Sequence, residues 1–535
     1  MTGATLRDFH QPGRSPAYAT GAMAATSHPL ATATALDVLR RGGNAVDAAI
    51  AAVAVLGVVE PHMTGIGGDC FAILSDKDGK LTGLNGSGRA PMAASLDRLL
   101  DQGTTEIGPD SVHAVTVPGA VAAWQKLLSE HGTWSLADAL APAIAYAEDG
   151  FPITPRVGAD WAEEAPRLAR DKGAAKHFLV DGAAPAVGSV HSLPALAETL
   201  RRIAEEGPKG FYEGPVAEEI VATLAARGGW MSLDDLAAME PTSEVPITTD
   251  YRGYTVAELP PNGQGLTALI LLNILEHFDL AGLDPLGPER FHLEMEAARI
   301  AYACRDAYIA DPSAMTETVE ALLSSRYSER LADGIDPGRR GERPAASDLV
   351  PDADTVYLTV VDSDRRAISL INSVYHGFGS GIVTEKSGIA LQNRGACFVV
   401  QKGHPNTIDA GKRPMHTIIP GFVTKDGAPF MSFGVMGGAY QPCGHAHFLT
   451  NMVDYGMDVQ AALDCPRLFW DDANGPLSAE TTIPKATLTD LAARGHEVTM
   501  AASPHGGGQA IRIDKDTGVL IGGSDPRKDG CAIGF

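Results

Sequence analysis

The sequence has 535 residues and is poor in aromatic side chains, at 6%, and its six cysteines (Cys70, Cys304, Cys397, Cys443, Cys465, Cys531) include no CxxC pair. Scattered thiols in so long a chain argue against a disulfide scaffold and predict reduced, mostly buried cysteines in a cytoplasmic protein. Positive charge is also scarce: 42 Lys+Arg stand against 66 Asp+Glu, a formal net charge of −24. Such an excess repels phosphate backbones and anionic lipid, so neither nucleic acid nor a membrane surface is an expected partner. No apolar run reaches the roughly 20 residues that a bilayer span needs. The most apolar stretch, residues 48–59 between Asp47 and Glu60, reads instead as a buried helix. The first residues show no basic stretch leading into an apolar one, so no signal peptide is expected. GxSxG, P-loop and HExxH patterns are missing too, which speaks against an α/β-hydrolase, a nucleotidase and a zincin. No cofactor is called for.

What remains is ordinary globular material, 44% apolar and 20% charged, long enough for two domains or one large layered α/β body. Helices are predicted from Ser27 to the stop at Gly42 and Gly43, then over 45–59, 135–148, 193–206, 216–227, 232–239, 266–277 and 288–310. Strands are predicted over 69–74, 114–117 and 254–258. The character changes at 334–354, a polar, Pro- and Gly-rich segment that reads as an exposed linker. A β-rich final third follows, with strands over 355–362, 367–375, 388–392, 417–424, 429–435, 509–514 and 519–522. Two helices, 444–455 and 459–465, interrupt it.

A hairpin turning about Asp364 places Ser373 across from Thr355 on one face of the ladder. A threonine that opens a core strand after a linker has a chemical use. If the Asp354–Thr355 bond is cut, the new α-amine lies beside the threonine hydroxyl. Its pKa near 7.7–8.0 suits it to act as the general base for that hydroxyl. Ser373 would orient the nucleophile, and the same hydroxyl would first attack the Asp354 carbonyl. The plain alternative is a β-branched strand residue. Gly437 and Gly438 close a later strand, where backbone N–H groups can form an oxyanion hole or simply make a tight turn. Cys443 and His447 share a helical face, but no second ligand pair stands at zinc spacing, so packing is the better reading.

These segments resemble the γ-glutamyltranspeptidase family. In the last third the resemblance lies in TVYLTVVD at 355–362, FGSGIV at 378–383, GKRP at 411–414, Gly437 with Gly438, YGM at 455–457, CPRLF at 465–469 and SDPR at 524–527. Earlier it lies in GGNAVDA at 42–48, EPHMTGIGG at 60–68, VPGA at 117–120, AEDGF at 147–151, GFY at 210–212 and DYRGY at 250–254. The resemblance implies an N-terminal-nucleophile (Ntn) hydrolase fold, a four-layer αββα sandwich of α/β class, made as a precursor. Cleavage between Asp354 and Thr355 would give a large subunit 1–354 and a small catalytic subunit 355–535, associated afterwards, with a dimer of such heterodimers left open. It makes Thr355 the nucleophile, Ser373 its support, and Gly437 and Gly438 the oxyanion hole.

The substrate pocket departs from the family pattern. Ser87 stands where transpeptidases place the arginine for the glutamyl α-carboxylate, and Cys397 where they place the acid for its amine. Arg394 replaces a glutamine or glutamate beside Asn393, Tyr375 replaces an asparagine, and His416 and Thr417 replace paired serines. The stretch between Phe398 and Lys412 is short, which implies that the bacterial lid loop is missing. An ammonium without a carboxylate partner is poorly held in a desolvated pocket, whereas a guanidinium can grip a carboxylate in bidentate fashion. The expectation is an amidohydrolase acting through an acyl-enzyme on a small carboxylate-bearing amide, as oxamate amidohydrolases and cephalosporin acylases do. A true γ-glutamyltranspeptidase or glutathione hydrolase with a remodelled pocket, and an inactive homologue acting as a binding protein, are the alternatives. For Arg394 the alternative is an ion pair with a surface acid.

Overall fold

The computed structural model describes residue 10 and residues 13–342, 354–470 and 475–535. Two sheets of seven strands each lie at its centre. In chain order their strands are β1 Ala17–Ala19, β2 Met23–Thr26, β3 Asp69–Ser75, β4 Leu81–Gly86, β5 Thr242–Glu244, β6 Ile247–Tyr251 and β7 Tyr254–Glu258. Then come β8 Asp354–Val361, β9 Ala367–Tyr375, β10 Gly421–Lys425, β11 Ala428–Met436, β12 Gly507–Ile513, β13 Leu520–Ser524 and β14 Cys531–Gly534. One sheet runs β1-β13-β12-β11-β10-β7-β6 and the other β14-β2-β8-β9-β3-β4-β5. The hairpin strands β8 and β9 read as near-continuous apolar runs because both of their faces are covered.

The sheets pack face to face. Between them the few hydroxyls pair with one another or with backbone: Thr359 Oγ1 donates to Ser432 Oγ at 2.7 Å, and Ser369 Oγ to the Phe433 carbonyl at 3.2 Å. Gly434 leaves room for the Tyr357 ring, which a Cβ there would meet at 2.3 Å. Helices α1 Pro29–Arg40, α2 Ala45–Val59, α3 Ala120–His131 and α4 Leu136–Asp149 lie on the β8–β9 side. Every residue of α2 is buried, which its small side chains permit, and a capping box between Asn44 and Asp47 starts it. The opposite layer holds α5 Gly265–Leu275, α6 Pro288–Tyr308, α7 Gln441–Val453 and α8 Val459–Asp464. The expected four-layer α/β sandwich is the observed architecture.

Two predicted strands are corrected. Residues 114–117 enter neither sheet: a 3-10 turn covers Val112–Ala114, and the Val117 N–H goes to the Arg89 carbonyl at 3.0 Å. Residues 388–392 make only the isolated bridge Val383–Ala390, because Leu391 folds back on the glycine loop and bonds Ser380 and Ile382. The expected helix over 444–455 begins three residues earlier, at Gln441, with Pro442 in its first turn. Most of the expected linker, residues 343–353, lies outside the described residues. All six cysteines are free, and five are buried. Among the described residues no helix is long and apolar enough to cross a membrane.

Candidate active site

Thr355 is the second residue of β8 and fully buried. The ladder pairs Val356 with Asn372 and Tyr357 with Ile371, the register expected from the turn, until a bulge shifts Asp354 opposite Tyr375. Bulges re-aim side chains, and this one leaves the Thr355 hydroxyl donating to Ser373 Oγ at 3.1 Å. Ser373 Oγ also accepts the Tyr375 N–H at 2.8 Å. Tyr375 itself takes φ +84°, an uncommon backbone for a tyrosine, as the chain leaves β9 for the glycine loop.

Arg394, on a single 3-10 turn, is fully buried and reaches back over this corner. Its guanidinium lies 4.1 Å from the centre of the Tyr375 ring, donates from Nη1 to Thr417 Oγ1 at 2.7 Å, and approaches Ser373 Oγ at 3.5 Å through Nη2. Its Nε has no hydrogen-bond partner, and among the described residues no carboxylate lies within ion-pair distance of it. The surface-acid alternative for Arg394 therefore finds no support. Burial, the Cys397 thiol and a hydrogen bond to it hold the Tyr375 phenol well above its usual range, so Tyr375 is a neutral platform for the cation.

The other residues singled out from sequence have protein partners. His416 Nε2 bonds Asp69 Oδ2 at 3.0 Å and its Nδ1 accepts the Ile418 N–H at 3.3 Å. Burial and the nearby Arg394 charge push its pKa down to about 3, so the ring is neutral and both of its nitrogens face protein. Asn393 accepts the His376 N–H at 3.1 Å and donates to the Pro109 carbonyl at 3.0 Å, which fixes the loop after β9. Ser87 bonds Asn262 and faces a different cavity, of about 380 Å³, shared with Val117, Met239 and Arg413. Gly437 and Gly438 take φ +120° and +52° where β11 passes toward α7, a conformation that favours glycine. A Cβ on Gly437 would meet the Gly506 Cα at 2.8 Å. Gly437 also lines a cavity of about 160 Å³ together with His376 and Gly377.

Two residues that organise this corner escaped the sequence reading. Asp69 pairs with Ser373 across β3 and β9, and its carboxylate takes His416, the Gln392 amide at 2.9 Å and the Gly88 N–H at 3.0 Å. An acid opening an otherwise apolar strand was the available signal. Gln264, just before α5, donates to the carbonyls of Thr417 and Gly438; a glutamine between two glycines gave no such signal. His447 belongs to a buried ion-pair network in which its Nδ1 meets Glu294 and Arg290, whereas the buried Cys443 thiol lies against Tyr302. Among the described residues no cluster could hold a metal ion.

The chain is 38% identical over 526 residues to a glutathione hydrolase-like YwrD proenzyme of Bacillus subtilis, covering 96% of this chain and 98% of that one. It is 35% identical over 533 residues to an oxamate amidohydrolase proenzyme of Klebsiella pneumoniae, covering 96% and 99%. The crystal structure of a cephalosporin acylase from Bacillus halodurans superposes with a TM-score of 0.93 at 41% identity, over 100% of this chain and 99% of that one. Residues 31–535 match the model of the gamma-glutamyltranspeptidase family, and the chain is an enzyme belonging to that family.

Proposed function

We propose that the chain cuts itself between Asp354 and Thr355 and that Thr355 is then the nucleophile of an amidohydrolase for small amides bearing a carboxylate. The observation that carries this reading is Arg394: a buried guanidinium, stacked on Tyr375, without a carboxylate partner among the described residues, 3.5 Å from the serine that holds Thr355. A lone buried cation is costly, and a substrate carboxylate would supply what the protein withholds.

In this mechanism the freed α-amine accepts the proton of Thr355 Oγ1 as that oxygen attacks the substrate carbonyl. Ser373 orients the hydroxyl, and the N–H groups of Gly437 and Gly438 meet the developing oxyanion. The protonated amine passes its proton to the leaving nitrogen, and water then releases the acid from the acyl-threonine. Arg394, Tyr375 and Thr417 receive the substrate carboxylate. Asn393 and His416 shape the surrounding wall, while Ser87 faces the separate cavity beside Val117 and Arg413. The names of the relatives support the class: proenzyme for the YwrD-like and oxamate-cleaving proteins, acylase for the structural neighbour.

The test is a denaturing gel with intact mass, then kinetics on oxamate, glutaryl-anilide and γ-glutamyl-anilide. Two chains divided at 354/355 that collapse to one in Thr355→Ala, with turnover of oxamate or glutaryl-anilide, are expected. The 38% identity to a glutathione hydrolase-like protein favours γ-glutamyl substrates as the second reading. Fast γ-glutamyl transfer to glycylglycine would establish it and overturn the preference for acyl groups that lack an α-amine.

A further inference from the structure

Gln264 makes a three-way junction. It is fully buried, one residue before α5. Its Nε2 donates both hydrogens, to the Thr417 carbonyl at 2.7 Å and to the Gly438 carbonyl at 2.9 Å. Its Oε1 accepts Arg305 Nη1 at 3.1 Å, which fixes the amide orientation: the flipped amide would set its oxygen against two carbonyls and its NH₂ against a guanidinium. The backbone adds to the grip, since the Gln264 N–H donates to the His416 carbonyl at 2.8 Å and Gly263 bridges His416. Arg305 is itself buried and held by Asp306 at 2.7 Å, and from the same helix the Tyr302 hydroxyl donates to the Ala439 carbonyl.

The two acceptors are informative. Thr417 carries the hydroxyl that holds Arg394. Gly438 is the second residue of the glycine turn, at φ +52°. One side-chain amide from before residue 354 therefore fixes the peptide planes of two segments that lie after it. We propose that Gln264 is a positioning residue that couples recognition of the substrate carboxylate at Arg394 to formation of the oxyanion site at Gly437 and Gly438. The inference rests on the function proposed above. It gives the large segment a part in the chemistry: α5 and α6 set the distance between the two ends of the bound acyl group. Displacement of Gly438 or Thr417 by a fraction of an ångström would misalign the adjoining N–H donors with the oxyanion, or the guanidinium with the carboxylate.

The discriminating variant is Gln264→Glu, nearly isosteric, which keeps an acceptor for Arg305 and removes both donors. Gln264→Met removes them without adding charge. Glutaryl-anilide and the neutral butyryl-anilide are compared, with rates referred to processed protein counted by intact mass. Loss of the glycine-turn bond should lower kcat on both anilides by about ten- to a hundredfold. Loss of the Thr417 bond should raise KM on glutaryl-anilide alone, moving the preference for it toward that of Arg394→Met. A purely structural glutamine would lower the melting temperature yet leave kcat and KM of the processed protein unchanged. That outcome, or values within twofold of wild type for either variant, overturns the proposal. If Thr355→Ala stays active or Arg394→Met keeps the wild-type KM for glutaryl-anilide, the functional reading itself has failed. If both controls behave and Gln264 is silent, only the positioning role falls.

Discussion

Arg394 has two opposed consequences, and one substitution separates them. A buried guanidinium with no carboxylate partner among the described residues is a burden on the fold, relieved in part by Tyr375 and Thr417. Arg394→Met, of similar length and without charge, should hold or raise the chemical-denaturation midpoint. The same change should raise KM for glutaryl-anilide by about thirtyfold, the value of roughly 2 kcal/mol for a lost charge-assisted contact. A drop in stability with unchanged KM would show that the arginine serves the core. A second residue-scale expectation concerns acid. His376 and His416 have pKa values pushed down to about 4 and about 3, chiefly by burial. Each is neutral in the folded protein and titrates near 6.5 once unfolded, so the unfolded chain binds more protons below pH 6.5. Stability therefore falls as pH drops from 6.5 toward 4, by about 2 kcal/mol for each of the two at pH 5. Denaturation midpoints at pH 7 and pH 5 check this, and His416→Gln should flatten the slope.

At the scale of elements the hairpin β8–β9 and the turn after β11 differ in how they were specified. The hairpin register followed from sequence because its turn residues and its β-branched alternation agree, and only the bulge at Asp354 was invisible. The β11 turn was legible as glycine, but its residues alone did not choose between an oxyanion hole and a tight turn, since positive φ explains Gly437 without any chemistry; only the family resemblance favoured the site. Gly437→Ala tests both demands on it. The Cβ contact with Gly506 and the φ of +120° predict a lowered melting temperature. If the turn also serves catalysis, kcat should fall by more than a hundredfold in the protein that remains folded. Segments 114–117 and 388–392 read as strands because their composition fits a half-buried surface, while their backbone partners are loop residues, Arg89 for Val117 and the glycine loop at Ser380 and Ile382 for Leu391, which a local pattern does not name. The hydrogen bonds of Gln264 and Asp69 were unreadable for the same reason: their partners lie 153 and 347 residues away.

In both central sheets, blocks of strands from before and after residue 354 are interleaved. β8 pairs with β2, β9 with β3, β14 with β2, β10 with β7 and β13 with β1. A cut at Asp354–Thr355 would leave each of these five pairings in place. The two pieces should co-elute on a sizing column and part only in denaturant, and residues 355–535 expressed alone should be insoluble. Separation of native pieces at moderate salt would contradict the interleaved sheets. The fold class was legible because helical and strand periods are local properties. The interleaving was not, because nothing in a strand names its neighbour.

The bulge beside Thr355 places one further demand on assembly. The hydroxyl meets Ser373 only when β8 and β9 are zipped, and Arg394 stands over Ser373 only when its loop has docked on Tyr375 and Thr417. A chain that scissions itself by this route would do so only after its own quality inspection: the cut becomes a receipt, stamped once per molecule, that the sheets have closed. The ratio of one-piece to two-piece protein in a cell would then report folding yield directly, with no added probe.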